Sequence, residues 1–226
     1  MRHLLVALLM PLLAQGQEPR TVSCRFLGFQ TGDSMDSLIC ITEGSQVVCP
    51  LGTSEISGPA NLVAVNNVLS FIDSKERKPA CNVTVPAGMH QPLIVFMPNA
   101  QGAATPLRGF AIEDSKKSFP DGGALVVNLH STNIRFVIGE HKYMLKPGDS
   151  CGVEEPKQRD DFNMATVTFE FSHNEEWINA SESRFRFTEG LRYLIFTYTD
   201  PSSQRPRVST YQDLPYKAPA APTKPQ

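Results

Sequence analysis

A period of two governs the most regular part of this chain. In ATVTFEFS (165–172), Val167, Phe169 and Phe171 fall on one side of an extended backbone, and Thr166, Thr168 and Glu170 on the other, because successive strand side chains point to opposite faces. Arg184-Phe185-Arg186-Phe187 continues the pattern. Elsewhere the apolar stretches are short, rich in Val, Ile, Phe and Thr, and bounded by Gly, Pro, Asn and Asp. They include TVSCRFLGF (21–29), LVAVNNVLSFI (62–72), PLIVFMP (92–98), GALVVNLH (123–130) and NIRFVIG (133–139). LRYLIFTYT (191–199) is apolar in both phases, as a central strand covered on both faces would be. No window keeps helical periodicity over three turns. The predicted fold class is all-β, as one or two β-sandwich (immunoglobulin-like) domains, with two preferred.

The stretch NAQGAATP (99–106) is small, polar and unpatterned, and reads as a linker or long inter-sheet loop. It divides the chain into a β-sandwich over 17–100 and another over 101–214. The halves share a faint likeness: GPANLVAVNN, VTVPAG and PLIVFMPN lie over GGALVVNLHS, YMLKPG and YLIFTYTD. The last residues, PYKAPAAPTKPQ (215–226), are Pro- and Ala-rich with no core-forming pattern, and read as a disordered tail or spacer.

The first sixteen residues predict export. Met1-Arg2-His3 is a short basic start, Leu4–Ala14 is apolar apart from Pro11, and Ala14-Gln15-Gly16 offers a cleavage site before Gln17. That apolar run is far shorter than the roughly 20 residues a membrane-spanning helix needs. The expected location is periplasmic or extracellular, with no membrane insertion after cleavage. Without Arg2 the chain carries 20 basic against 23 acidic side chains, so charge gives no case for nucleic acid as a partner.

Five cysteines follow the predicted cleavage point: Cys24, Cys40, Cys49, Cys81 and Cys151. An odd number leaves one thiol over unless chains pair. In SLICITEGSQVVCPL (37–51), a hairpin turn centred on Gly44-Ser45 places Cys40 opposite Cys49 on a non-hydrogen-bonded pair, where strands approach closest. A disulfide there would contribute roughly 2–3 kcal/mol. Two buried free thiols are the alternative.

Catalytic signals are weak. LKPGDSCG (145–152) holds Gly-Asp-Ser, but Cys151 and Gly152 follow where trypsin-like proteases have Gly-Gly-Pro, and no early alanine-alanine-histidine-cysteine run exists. The tripeptide recurs at Gly32–Ser34 in a second polar turn, where it resembles the nucleophile block of GDSL-type esterases except for Met35. That family's helices and C-terminal Asp-x-x-His are missing. Pro, Gly, Asp and Ser are turn formers for local reasons, and no catalytic residue is assigned. Ser150 or Cys151 in a small exported hydrolase is the alternative, with His130 and His141 as the nearest bases in sequence; Glu154 and Glu155 disfavour a Cys151 thiolate.

No metal or other cofactor is expected. His141 and Met144 precede Cys151, the reverse of a blue-copper loop, Met89-His90 is isolated, and Asp160-Asp161 lacks a calcium-ligand spacing. A metal-binding envelope protein stays as a further alternative. Trp177, the only tryptophan, sits in the polar stretch SHNEEWINASES (172–183) and is the candidate binding residue, able to stack on a sugar ring or to fold back over a sheet edge. Asn82-Val-Thr and Asn179-Ala-Ser match the N-glycosylation acceptor.

From SFPDGG through the Asn-ended strand, LKPG and RYLIFTYTD to a Pro-rich exit (118–215), the chain resembles uncharacterised exported bacterial β-rich proteins of unknown function. The resemblance implies export and β architecture and no activity. Two-domain periplasmic pilus chaperones share the size and build, but their paired basic cleft residues have no counterpart here. The expected function is therefore a non-catalytic exported β-sandwich protein, a binding or structural module whose partner is a protein or glycan at the cell envelope.

Overall fold

The computed structural model describes residues 18–32, 35–42 and 44–214. The predicted signal segment, its cleavage site and the tail from residue 215 lie outside them, as do Asp33 and Ser34 of the second Gly-Asp-Ser. Sixteen strands and no helix make up the described chain: β1 (Arg20–Gly28), β2 (Ser37–Thr42), β3 (Ser45–Pro50), β4 (Ala60–Ala64), β5 (Val68–Asp73), β6 (Pro79–Thr84), β7 (Pro92–Pro98), β8 (Leu107–Glu113), β9 (Ala124–Asn128), β10 (Ile134–Ile138), β11 (His141–Leu145), β12 (Ser150–Val153), β13 (Met164–His173), β14 (Glu176–Arg186), β15 (Arg192–Thr199) and β16 (Pro206–Asp213). The all-β class read from the alternation is the class observed.

These strands form four sheets of four: β4-β1-β7-β8 with β3-β2-β5-β6, and β12-β9-β15-β16 with β11-β10-β13-β14. The second pair repeats the first with every strand number raised by eight. Even the unusual parallel pairings recur, β1 with β7 and β9 with β15. The faint likeness in sequence is thus a repeated topology with different equivalences. PLIVFMP and RYLIFTYT do occupy the same place, as β7 and β15, but the partner of β9 is β1 rather than β4.

Each pair of sheets closes on its own apolar core. Phe26, Phe71 and Phe96 centre the first, with the rings of Phe71 and Phe96 edge to face at 5.0 Å; Phe136, Phe169 and Ile195 centre the second. A third cluster lies between β4-β1-β7-β8 and β12-β9-β15-β16, and includes Leu27, Phe29, Val95, Val127, Leu194 and Phe196. There Phe29 meets Phe196 at 4.8 Å and Tyr198 at 5.1 Å. The inner sheets are covered on both faces, which is why PLIVFMP and LRYLIFTYT are apolar in both phases.

Two connections differ from their reading in sequence. Residues 99–106 join β7 to β8, which pair antiparallel, and Asn99 N–H bonds Pro106 O at 2.9 Å. The stretch read as a linker is a hairpin connection within the first group of strands. LVAVNNVLSFI is two strands, because Asn66 and Asn67 both adopt positive φ (51° and 62°) and Val65 and Val68 close the turn; Asn tolerates that conformation better than most residues.

Candidate functional site

The outer face of the sheet β11-β10-β13-β14 carries Trp177. The polar stretch 172–183 folds as a tight turn at Asn174-Glu175, both at positive φ, within the hairpin from β13 to β14, so Trp177 is a strand residue. Its orientation depends on a bulge. Phe169 pairs with Ser181, but Glu170 pairs with Asn179, leaving Ala180 as an extra residue. One extra residue exchanges inner for outer positions in the rest of a strand, and it moves Trp177 and Asn179 to the face shared by Glu170 and Ser172.

On that face Met144, Arg135, Glu170 and Asn179 lie side by side across the four strands. Arg135 Nη2 donates to Glu170 Oε1 at 3.0 Å and its Nε to Oε2, while its Cζ sits 4.7 Å from the Trp177 ring centroid. The bond from Arg135 holds the Glu170 carboxyl below the usual carboxylate range. The result is a half-buried indole pinned by a guanidinium, with Met144 (63 % exposed) on the same face, while Ile178, the partner of Phe171, turns to the other face. A shallow concavity of about 590 Å³ runs along Arg135, Lys142, Tyr143, Met144 and Trp177. Trp177 therefore folds back onto the sheet against Arg135, with part of its ring left accessible.

Ser150 and Cys151 are elsewhere. They begin β12, an edge strand held against β9, with Ser150 opposite Val127 and Cys151 opposite Val126. The corner before them is Pro147-Gly148-Asp149, where Gly148 takes φ +83°. Ser150 lines a cleft of about 620 Å³ with Phe110, Ile112, Leu125, Ser118 and Glu113, and no histidine is among the lining residues. Cys151 packs against the second core, and burial raises its thiol pKa. The two histidines nearest in sequence are engaged apart from it. His130 is buried, with its Nδ1 3.0 Å from Thr132 Oγ1 and its ring on Phe171, and His141 lies 3.6 Å from Glu140.

The other cysteines share one core. Cys24, Cys40, Cys49 and Cys81 all lie within the first sandwich as free thiols. The predicted register is corrected here: Cys49 faces Leu38 and Cys40 faces Val47. Thr42 pairs with Ser45, so Ser45 belongs to β3, and Gly44, at φ +83°, is the turn residue just before it. Moving the turn centre by one residue makes Cys40 and Cys49 diagonal instead of directly opposite, a separation outside disulfide reach without backbone movement. Burial pushes these thiols up to about 12 for Cys24, Cys49 and Cys81 and about 11 for Cys40. They should be inert in the folded protein. A thiol reagent near pH 8 is expected to modify at most Cys151 natively and five thiols after denaturation; three after denaturation would restore a bridge.

A buried ionic cluster, which no reading of the sequence singled out, fixes one end of the middle apolar layer. Arg25 of β1 and Arg192 of β15 converge on Asp213, at the end of β16, and Asp114, just after β8. Arg25 Nη1 donates to Asp213 Oδ2 at 3.0 Å and to Asp114 Oδ2 at 3.1 Å, and its Nη2 bonds Asp213 Oδ1. Arg192 Nε reaches Asp213 Oδ2 at 3.1 Å, its Nη1 bonds Phe119 O, and its Cζ lies 3.9 Å over the Phe119 ring. Its Nη2 is 3.0 Å from Asp114 Oδ1 without hydrogen-bond alignment, so that contact acts as an ion pair alone. The signal was present in phase: Arg25 alternates with Leu27 and Phe29, and Arg192 with Leu194 and Phe196.

No family model matches the chain, and no curated protein does. Among the described residues, no group of three or more His, Cys, Asp or Glu side chains is placed to hold a metal ion.

Proposed function

We propose that this is an exported, non-catalytic β-sandwich protein of the cell envelope that binds a protein or glycan partner through the outer face around Trp177. The observation that carries the reading is the Arg135–Trp177 stack beside exposed Met144 and Asn179. An aromatic ring held by a cation, flanked by apolar and amide side chains, suits the apolar edge of a sugar ring or a partner's side chain. The bridge to Glu170 keeps Arg135 in position before a partner arrives, which lowers the ordering entropy of binding. The apolar first segment supports export.

The sole tryptophan makes the test direct. Titrating the folded protein with fractionated envelope glycans and proteins should shift Trp177 emission, and Arg135→Ala should weaken that response about tenfold, the loss of roughly 1.4 kcal/mol. Tight binding with Trp177 emission unmoved would place the partner on another surface.

A further inference from the structure

The second sandwich is open along a side where the first is shut. In the first, β6 packs along β8, and Gly109 of β8 permits the approach: a Cβ there would lie 2.6 Å from Val83 Cγ2. The strands in the same places of the repeat, β14 and β16, instead line a groove of about 780 Å³. Its floor includes Phe169 and Tyr193, and its walls carry Ser181 and Ser183 from β14 and Thr210 from β16. Ser181 and Ser183 pair with Phe169 and Val167, both buried core residues, so β14 turns hydroxyls toward a position where its sheet partner turns apolar groups.

Three observations indicate what would fill this groove. Among the described residues, β14 and β16 each have one hydrogen-bonded neighbour, β13 and β15, so each offers there a free row of backbone N–H and C=O groups, the template to which an extended chain adds. β14 is the longest strand, eleven residues and mostly exposed. Arg184 and Arg186 stand at the groove, Arg184 already bridged to Asp160 at 2.6 Å and Arg186 exposed, and no carboxylate is among the groove's lining residues. We propose that the groove takes an extended acidic segment of a partner polypeptide, added as a strand along β14 with a carboxylate toward Arg186. This surface is separate from the Trp177 face and goes beyond the function proposed above.

The probe is a blocked nine-residue peptide alternating valine and glutamate, with two controls: its lysine counterpart, and the glutamate peptide N-methylated at alternate backbone nitrogens. Binding to the full chain is read by fluorescence anisotropy, and hydrogen exchange on the wild-type protein reports the amides of 176–186. The acidic peptide should bind and protect β14 amides, the lysine and N-methylated peptides should bind at least tenfold more weakly, and Arg186→Glu, at an exposed position, should weaken the acidic peptide at least tenfold with an unchanged melting temperature. Equal binding of the acidic and basic peptides, or of the methylated and unmethylated ones, would overturn the proposal. So would protection confined to other strands, or binding of polygalacturonate in the groove without binding of the peptide.

Discussion

Asp213→Asn should destabilise the protein by about 3–5 kcal/mol, the range for breaking a buried ion pair from one side. Asp213 is 2 % exposed and holds both arginines. Removing its charge leaves two guanidiniums facing Asp114 alone, in surroundings where an unpaired charge is not solvated. Urea denaturation of the wild type and variant measures the difference, and a change below about 1 kcal/mol would mean the cluster is solvated in solution. Asp213 also predicts the response to pH. Burial raises its carboxyl pKa, but the bonds and charges of Arg25 and Arg192 outweigh burial and hold it below the ordinary range. A folded-state value below the unfolded one, roughly 3.9, means the native state binds fewer protons. Its contribution is complete above about pH 5 and disappears as pH falls through the folded-state value. The wild type should lose stability in acid more steeply than Asp213→Asn; Glu140 and Asp200, each held at about 2 mainly by local hydrogen bonds, keep some acid sensitivity in both.

The second large effect is expected at Asn128, the fully buried residue that ends β9. Its amide donates to Thr132 O at 3.0 Å and Leu145 O at 3.3 Å, and its Oδ1 accepts from His130 N–H and the Thr197 hydroxyl, each at 3.0 Å. Its backbone also anchors the corner before Ser150, exchanging bonds with Gly148 and Asp149. Asn128→Ala would strand these groups, and at about 1–3 kcal/mol for an unsatisfied buried group with partial rehydration, a loss of about 2–4 kcal/mol is expected. Thr197→Val removes one partner and should lose about 1 kcal/mol. If the two variants were equally stable, the four-bond arrangement would not be what holds the corner.

The class of the fold was legible because alternation and turn residues are local. Phe169 and Phe171 announce an inward face wherever the strand ends up, and Asn128 was visible as the end of a strand. What stayed hidden depends on pairing. Nothing in residues 172–183 says that Ala180 is skipped, and that one bulge decides whether Trp177 points into the core or out of it. The hairpin of Cys40 and Cys49 failed by the same mechanism: Gly44 was correctly placed in the turn, but Ser45 pairs with Thr42 as part of β3, and the partners shifted by two. Arg25 and Arg192 were readable as charges in an apolar phase, while their acids depend on pairing and stacking: Asp114 lies 89 residues from Arg25, Asp213 is the cross-strand partner of Arg192 21 residues on, and Arg25 reaches Asp213 only where the inner sheets stack. The linker reading of 99–106 failed because composition does not distinguish a hairpin connection from a boundary.

Co-sedimentation with washed envelopes of the producing cell tests the binding role most directly, comparing the wild type with Trp177→Ala and Ser150→Ala at matched stability. The wild type and Ser150→Ala should sediment alike, with Trp177→Ala needing about tenfold more envelope for half-saturation. Equal sedimentation of Trp177→Ala, or a loss confined to Ser150→Ala, would contradict a binding face built on Trp177.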